Sequence, residues 1–193
     1  TPSSTSPSVV EEVVVSSAPS TSNEDASSSP VVEVPTTNSV AGAKTSTVGV
    51  YLATSVKGSA VSTSVASIAE GYGLGKGEKP YAKFTNLDVK KSPLAKQAIH
   101  FEASSQGATV RPMVNIELGK MAGGKYSLLP SDGAEIKIAL GIPKNFAKDG
   151  ATFAMVCVRA GGVVSILEDV DDNPDTITFA TTGGAGTYAI IRY

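Results

Sequence analysis

The chain has 193 residues, 41% of them hydrophobic and 18% charged, with a formal net charge of −2, six Tyr, five Phe, no Trp, one Cys and one His. A single cysteine excludes an internal disulfide and leaves the redox compartment open, and one cysteine with one histidine excludes a conventional zinc site. The near-neutral charge argues against a nucleic-acid surface, and no stretch reaches the roughly 18 apolar residues of a membrane span.

Residues 1–45 hold 23 Ser, Thr or Pro, no aromatic residue, and one base (Lys44) against five acids. Such a stretch buries too little apolar surface to offset its ordering entropy, so a disordered linker is expected over 1–45. Its valine-rich runs, Val9 to Val15 and Val31 to Pro35, have no evident strand partner. The opening Thr1-Pro2-Ser3-Ser4 has neither a charged nor an apolar leader, so a signal peptide is absent or already removed, and the chain reads as a piece of something longer. Ser/Thr/Pro spacers commonly separate modules of secreted or wall-attached proteins, which points to an extracellular or cell-surface setting.

The remaining 148 residues carry every aromatic residue and a charge of about +2, enough chain for one module with a single core over 46–193. Short apolar or alternating runs broken by Gly, Pro, Asn and Asp predict many short strands. The first two are Ser46 to Ala53, with Val48, Val50 and Leu52 on one face, and Ser59 to Ser64. Val65 to Gly71 has helical spacing. Pro80 to Val89 alternates Tyr81, Lys83 and Thr85 with Ala82 and Phe84.

Ser92-Pro93 opens a helix over 93–105, with Ser92 as N-cap, an apolar side made of Leu94, Ala95, Ala98, Ile99 and Phe101, and Gly107 as a left-handed stop. Strands follow at Ala108 to Lys120 and Ala134 to Ile142. Phe153 to Arg159 is apolar on both faces, as in a central strand covered on both sides. Ala160-Gly161-Gly162 turns the chain into Val163 to Leu167. Thr176 to Thr181 and Thr187 to Tyr193, separated by a Gly183 to Gly186 turn, close an expected antiparallel meander over 153–193. The fold class is mainly β, an antiparallel sandwich of Ig-like or α+β layered kind, with one amphipathic helix near 93–105 and a disordered tether before it.

Few residues suggest chemistry. His100 falls on the solvent side of its helix, and Cys157 sits mid-strand between Val156 and Val158, where burial keeps a thiol inert. The run Gly71 to Gly77 lacks the Ser or Thr that a phosphate-cradling loop needs after Lys76. No catalytic residue is assigned. Glu168 to Asp175 concentrates carboxylates between two strands. It lacks EF-hand spacing, which leaves an irregular calcium site on Asp169, Asp171, Asp172 and Asp175, or a solvated Asp/Asn/Pro turn. For a ligand platform, Tyr72, Tyr81 and Tyr126 are the candidate rings.

The segment Val163 to Tyr193 resembles the closing part of C-terminal β-sandwich modules in large secreted surface proteins of Gram-positive gut anaerobes, the likeness reaching back to about residue 153. Asp169, Asp171, Pro174, Thr176 and Thr178 match an acidic "D-x-D-x-x-P-x-T-x-T" turn, and Thr187-Tyr188-Ala189 matches a "T-Y-A" ending. The resemblance implies a secreted, multidomain context and no activity. Two functions stay open. One is a non-catalytic structural or adhesive module of a bacterial surface or secreted protein, its partners being neighbouring modules of a longer chain and a cell-surface protein. The other is a carbohydrate-binding module of a polysaccharide-capturing or polysaccharide-degrading protein, its partner a glycan.

Overall fold

A computed structural model describes residues 39–40, 43–44, 47–88, 90–148 and 150–193. The tether expected over 1–45 lies outside the described residues except at Ser39–Val40 (β1) and Ala43–Lys44 (β2), which pair antiparallel. Val40 of this small pair is buried against Ala60 and Ala139.

The described chain then runs through β3 (Val48–Tyr51), β4 (Ser59–Val61), α1 (Val65–Tyr72), β5 (Glu78–Asn86) and α2 (Pro93–Ser105). After these come β6 (Thr109–Ala122), β7 (Lys125–Leu128), β8 (Ile136–Gly141), β9 (Phe153–Arg159), β10 (Val163–Glu168), β11 (Thr176–Thr181) and β12 (Gly184–Arg192). A large seven-stranded sheet has the order β10-β9-β12-β6-β5-β3, with β7 extending the β12 side of β6, and a three-stranded sheet has the order β11-β8-β4.

The two sheets face each other across the main core. From the large sheet come Phe84, Val114, Ile116, Met155, Cys157, Tyr188 and Ile190, and from the small one Val61, Ile138, Leu140, Ile177 and Phe179. Period-two alternation produces this arrangement, since residues two apart share a face. On its outer face the large sheet carries α2, whose Ile99 and Ala103 pack on Ala154, Val156 and Val158 of β9 and on Ala189 and Ile191 of β12. Strand β9 is thus covered on both faces, as its unbroken apolar sequence predicts. The mainly β sandwich with a helix over 93–105 is the fold observed.

Several local expectations are corrected. In β3 the buried residues are Tyr51 and the following Ala53, while Val48 and Leu52 are each 53% exposed. Stacking of Tyr51 on Phe84, 5.0 Å between ring centroids, fixes that face. Strand β3 also pairs parallel with β5, whereas the other pairings within the large sheet are antiparallel.

On α2 the buried line is Ala95, Ile99 and Ala103 at four-residue spacing, and Phe101 is 75% exposed because two positions from Ile99 is more than half a turn round the helix. The Ser92 side chain makes no cap bond. The turn before α2 is held by Asp88, whose Oδ1 accepts from the Lys90 N–H at 3.0 Å and whose carbonyl accepts from the Ser92 N–H at 3.0 Å. Gly107 does end α2 in the left-handed region, with Ala108 N–H donating to the Ala103 carbonyl and Gly107 N–H to that of Ser104.

Residues 153–193 do not form a meander. Strands β9 and β10 make a hairpin, but β11 crosses to the small sheet beside β8, and β12 returns to lie between β9 and β6. The connection between β10 and β11 is too long to force a hairpin, and it carries the chain round the corner of the sandwich. Strand β12 already begins within the expected glycine turn. A Cβ on Gly184 would lie 3.2 Å from Arg159 Nη1, so the glycines here leave room for a side chain arriving from β9.

Candidate functional site

Among the described residues, five chain segments meet at one end of the small sheet and enclose a cleft of about 800 Å³. They are Val40 of β1, the end of β3 with the segment following it, the Lys57-Gly58 turn before β4, the end of β8 with Ile142 and Lys144, and Asp175-Thr176 at the start of β11. The segment after β3 is held as a wall by Asn86. Its Oδ1 accepts from the Thr54 and Ser55 N–H groups, each at 3.0 Å, and its Nδ2 donates to Thr54 Oγ1 at 2.8 Å.

The turn before β4 is tied to β8 by Lys57 N–H to the Gly141 carbonyl (2.8 Å) and Gly141 N–H to the Gly58 carbonyl (2.9 Å). This crossing requires glycine at 141, because a Cβ there would lie 1.9 Å from the Lys57 carbonyl oxygen. Ile142 N–H donates to the Asp175 carbonyl at 2.9 Å, completing the opposite wall.

Val40, Tyr51, Ala53, Val56 and Ile142 line the cleft as buried apolar residues, and Leu52 stands at its rim. Lys57 and Lys144 are exposed lining residues, and neither has an ion pair among the described residues. Asp175 is the single acid of the lining among the described residues.

On the far side of Asp175 the acidic connection turns the side-chain oxygens of Asp169, Asp171 and Asn173 onto its own backbone and hydroxyls. Asp169 Oδ1 accepts from Asp171 N–H (3.1 Å) and Thr178 N–H (3.0 Å), Asp171 Oδ1 accepts from Asn173 N–H (2.7 Å), and Asn173 Oδ1 accepts from Asp175 N–H (2.9 Å). This is a staircase of Asx turns. Asp171 Oδ2 in addition accepts from the hydroxyls of Thr176 (2.9 Å) and Thr178 (2.6 Å).

Asp169, Asp171, Asp172 and Asp175 therefore lie on one loop, but among the described residues no three His, Cys, Asp or Glu side chains converge as a metal-holding group. Burial is the largest influence on the Asp169 carboxyl and raises it above its ordinary value, outweighing the two donated N–H groups.

The three tyrosines are occupied in packing. Tyr81 and Tyr126, 2% and 7% exposed, lie 4.9 Å apart on the outer face of the large sheet near buried Glu117. Burial first, then Glu117, pushes the Tyr81 phenol up to about 12, and its hydroxyl has no hydrogen-bond partner among the described residues. Tyr72 is half-buried. Its hydroxyl donates to the Ala134 carbonyl and accepts from Gly183 N–H at 2.9 Å, linking α1 to the β11–β12 turn.

The glycine-rich run spends three backbone donors internally. Gly73 N–H goes to Glu70, Leu74 N–H to Ala69 and Gly75 N–H to the Glu78 carboxylate. His100 is exposed on α2, and Cys157 is 1% exposed in the main core, where burial pushes its thiol up.

Sequence reasoning missed the cleft. Its walls come from segments more than 80 residues apart, and the only local signals are the Lys57-Gly58 turn and Lys144 after Pro143. Comparison with family models, with curated proteins and with solved structures finds no match for this chain.

Proposed function

We propose that this chain carries a non-catalytic extracellular module of a bacterial surface or secreted multidomain protein, acting as a structural or adhesive unit through what its surface binds. The observation that supports this reading is the use made of the residues behind the surface-protein resemblance. Asp169, Asp171, Thr176 and Thr178 bond to one another and to their own loop, which is the work of architecture. The remaining groups fit the same reading, since His100 is exposed on a helix surface and Cys157 is sealed in the core.

The test is surface proteolysis of intact cells that make the native protein, paired with affinity electrophoresis of the full chain in starch, plant-wall and mucin gels. Release by protease with no retardation in any glycan supports the adhesive reading. Retardation in a glycan gel replaces it with the carbohydrate-binding alternative, and full protection from protease on cells that remain intact removes the surface assignment.

A further inference from the structure

We propose that the cleft between Tyr51–Val56 and Gly141–Lys144 is a binding site for a small monoanionic amphiphile, an aliphatic or aromatic body carrying one carboxylate. This deepens the reading of the chain as a binding module by naming a ligand class for one site on it. Three features select that class.

The size is that of a small-molecule site, since such pockets span about 300–1,000 Å³ and are lined mainly by apolar side chains with a few placed polar groups. Here Val40, Tyr51, Ala53, Val56 and Ile142 form the walls, all of them buried. Much of the backbone around them is already paired. Lys57, Gly58 and Gly141 bond one another, Thr54 and Ser55 bond Asn86, and Ile142 bonds Asp175. A glycan or an extended peptide needs unspent donors and acceptors along its length, and these walls offer few. An apolar body needs none.

Charge sets the head group. Among the described residues, Lys57 and Lys144 bring two ammonium groups to the rim, and Asp175 brings one carboxylate, a balance of +1. One anionic group is thereby attracted, while a second negative charge meets Asp175. Ammonium groups on flexible stems reach over an apolar cleft while keeping their heads in water, which suits a ligand whose charged end stays at the mouth.

The full chain is titrated with a fluorescent long-chain monocarboxylate, cis-parinaric acid, below its micelle-forming concentration. Saturable one-to-one binding is expected, displaced by hexadecanoate and displaced at least about 10-fold less well by hexadecanol, with affinity falling as salt is raised. K57E/K144E, on the exposed rim, is expected to weaken binding about 10-fold or more with the melting temperature unchanged. A53W, which fills the cleft, is expected to abolish binding, and circular dichroism checks its fold.

Absence of saturable binding overturns the proposal, as does binding that both variants leave intact. Loss of the ligand with surface release by protease retained would remove only this assignment, whereas binding by a chain that never reaches the surface would remove the surface reading and leave the site.

Discussion

Thr178 Oγ1 donates to Asp171 Oδ2 at 2.6 Å, joining β11 to the acidic connection that delivers it. The same oxygen accepts from Thr176, and the partner oxygen accepts from Asn173 N–H, so one carboxylate organises the corner at which the chain changes sheets. Hydrogen bonds to a charged acceptor contribute about 1.5–3 kcal/mol each in favourable settings. D171A is expected to cost about 2–4 kcal/mol and T178V about 1–2 kcal/mol by urea denaturation, with the double variant costing less than their sum. Simple additivity would show that the two side chains act separately.

Tyr72 lies against Gly133 so closely that a Cβ on Gly133 would sit 2.2 Å from the ring. G133A is expected to destabilise by about 1–3 kcal/mol through overpacking. In a Y72A background the ring is gone, and the same change is expected to cost almost nothing. The measurement is the coupling energy of the four-member cycle, expected above about 1 kcal/mol. A coupling near zero would place the strain elsewhere.

Cys157 is a built-in reporter of opening, because it is the single cysteine of the chain and lies in the core between the sheets. Burial pushes its thiol above the usual value, so the folded state protects it both sterically and by disfavouring the thiolate. Labelling by iodoacetamide at neutral pH is expected to run at least about 100-fold slower than in urea-unfolded chain. It should also track global rather than local unfolding. Fast labelling of the folded protein would mean that β9 is exposed.

The sandwich was legible where periodicity is uninterrupted. Phe153–Arg159 and Thr176–Thr181 are strands with the expected bounds, because apolar residues on both faces, or inward Ile177 and Phe179 alternating with threonines, leave few alternatives. Legibility fails where a partner decides. Phe101 is apolar yet faces solvent, since α2 meets the sheet through Ala95, Ile99 and Ala103. Strand β7 was overlooked although Gly123-Gly124, both at positive φ, is a two-residue hairpin signal. The acidic loop was visible as composition, but the Asp169 and Asp171 carboxylates turn inward through i, i+2 bonds that composition does not reveal. The cleft depends on Tyr51 approaching Ile142 through tertiary structure alone, and no local pattern encodes it.

Asp169 gives the stability a pH dependence of definite sign. Its carboxyl is held above the ordinary 3.8 by burial, with Asp171 and Asp172 adding to the shift. Protonation is therefore easier in the folded chain than in the unfolded one, and stability falls wherever the folded state holds the extra proton. The Asp169 contribution is fully present below about pH 3.8 and is lost as pH rises through the higher folded value. D169N keeps the Oδ1 acceptor for the Asp171 and Thr178 N–H groups and removes the titration. The difference in unfolding free energy, native minus D169N, is expected to decline above pH 3.8 and to level off by neutrality. A difference that instead grew with pH would mean that the two donated N–H groups outweigh burial and hold the carboxyl down.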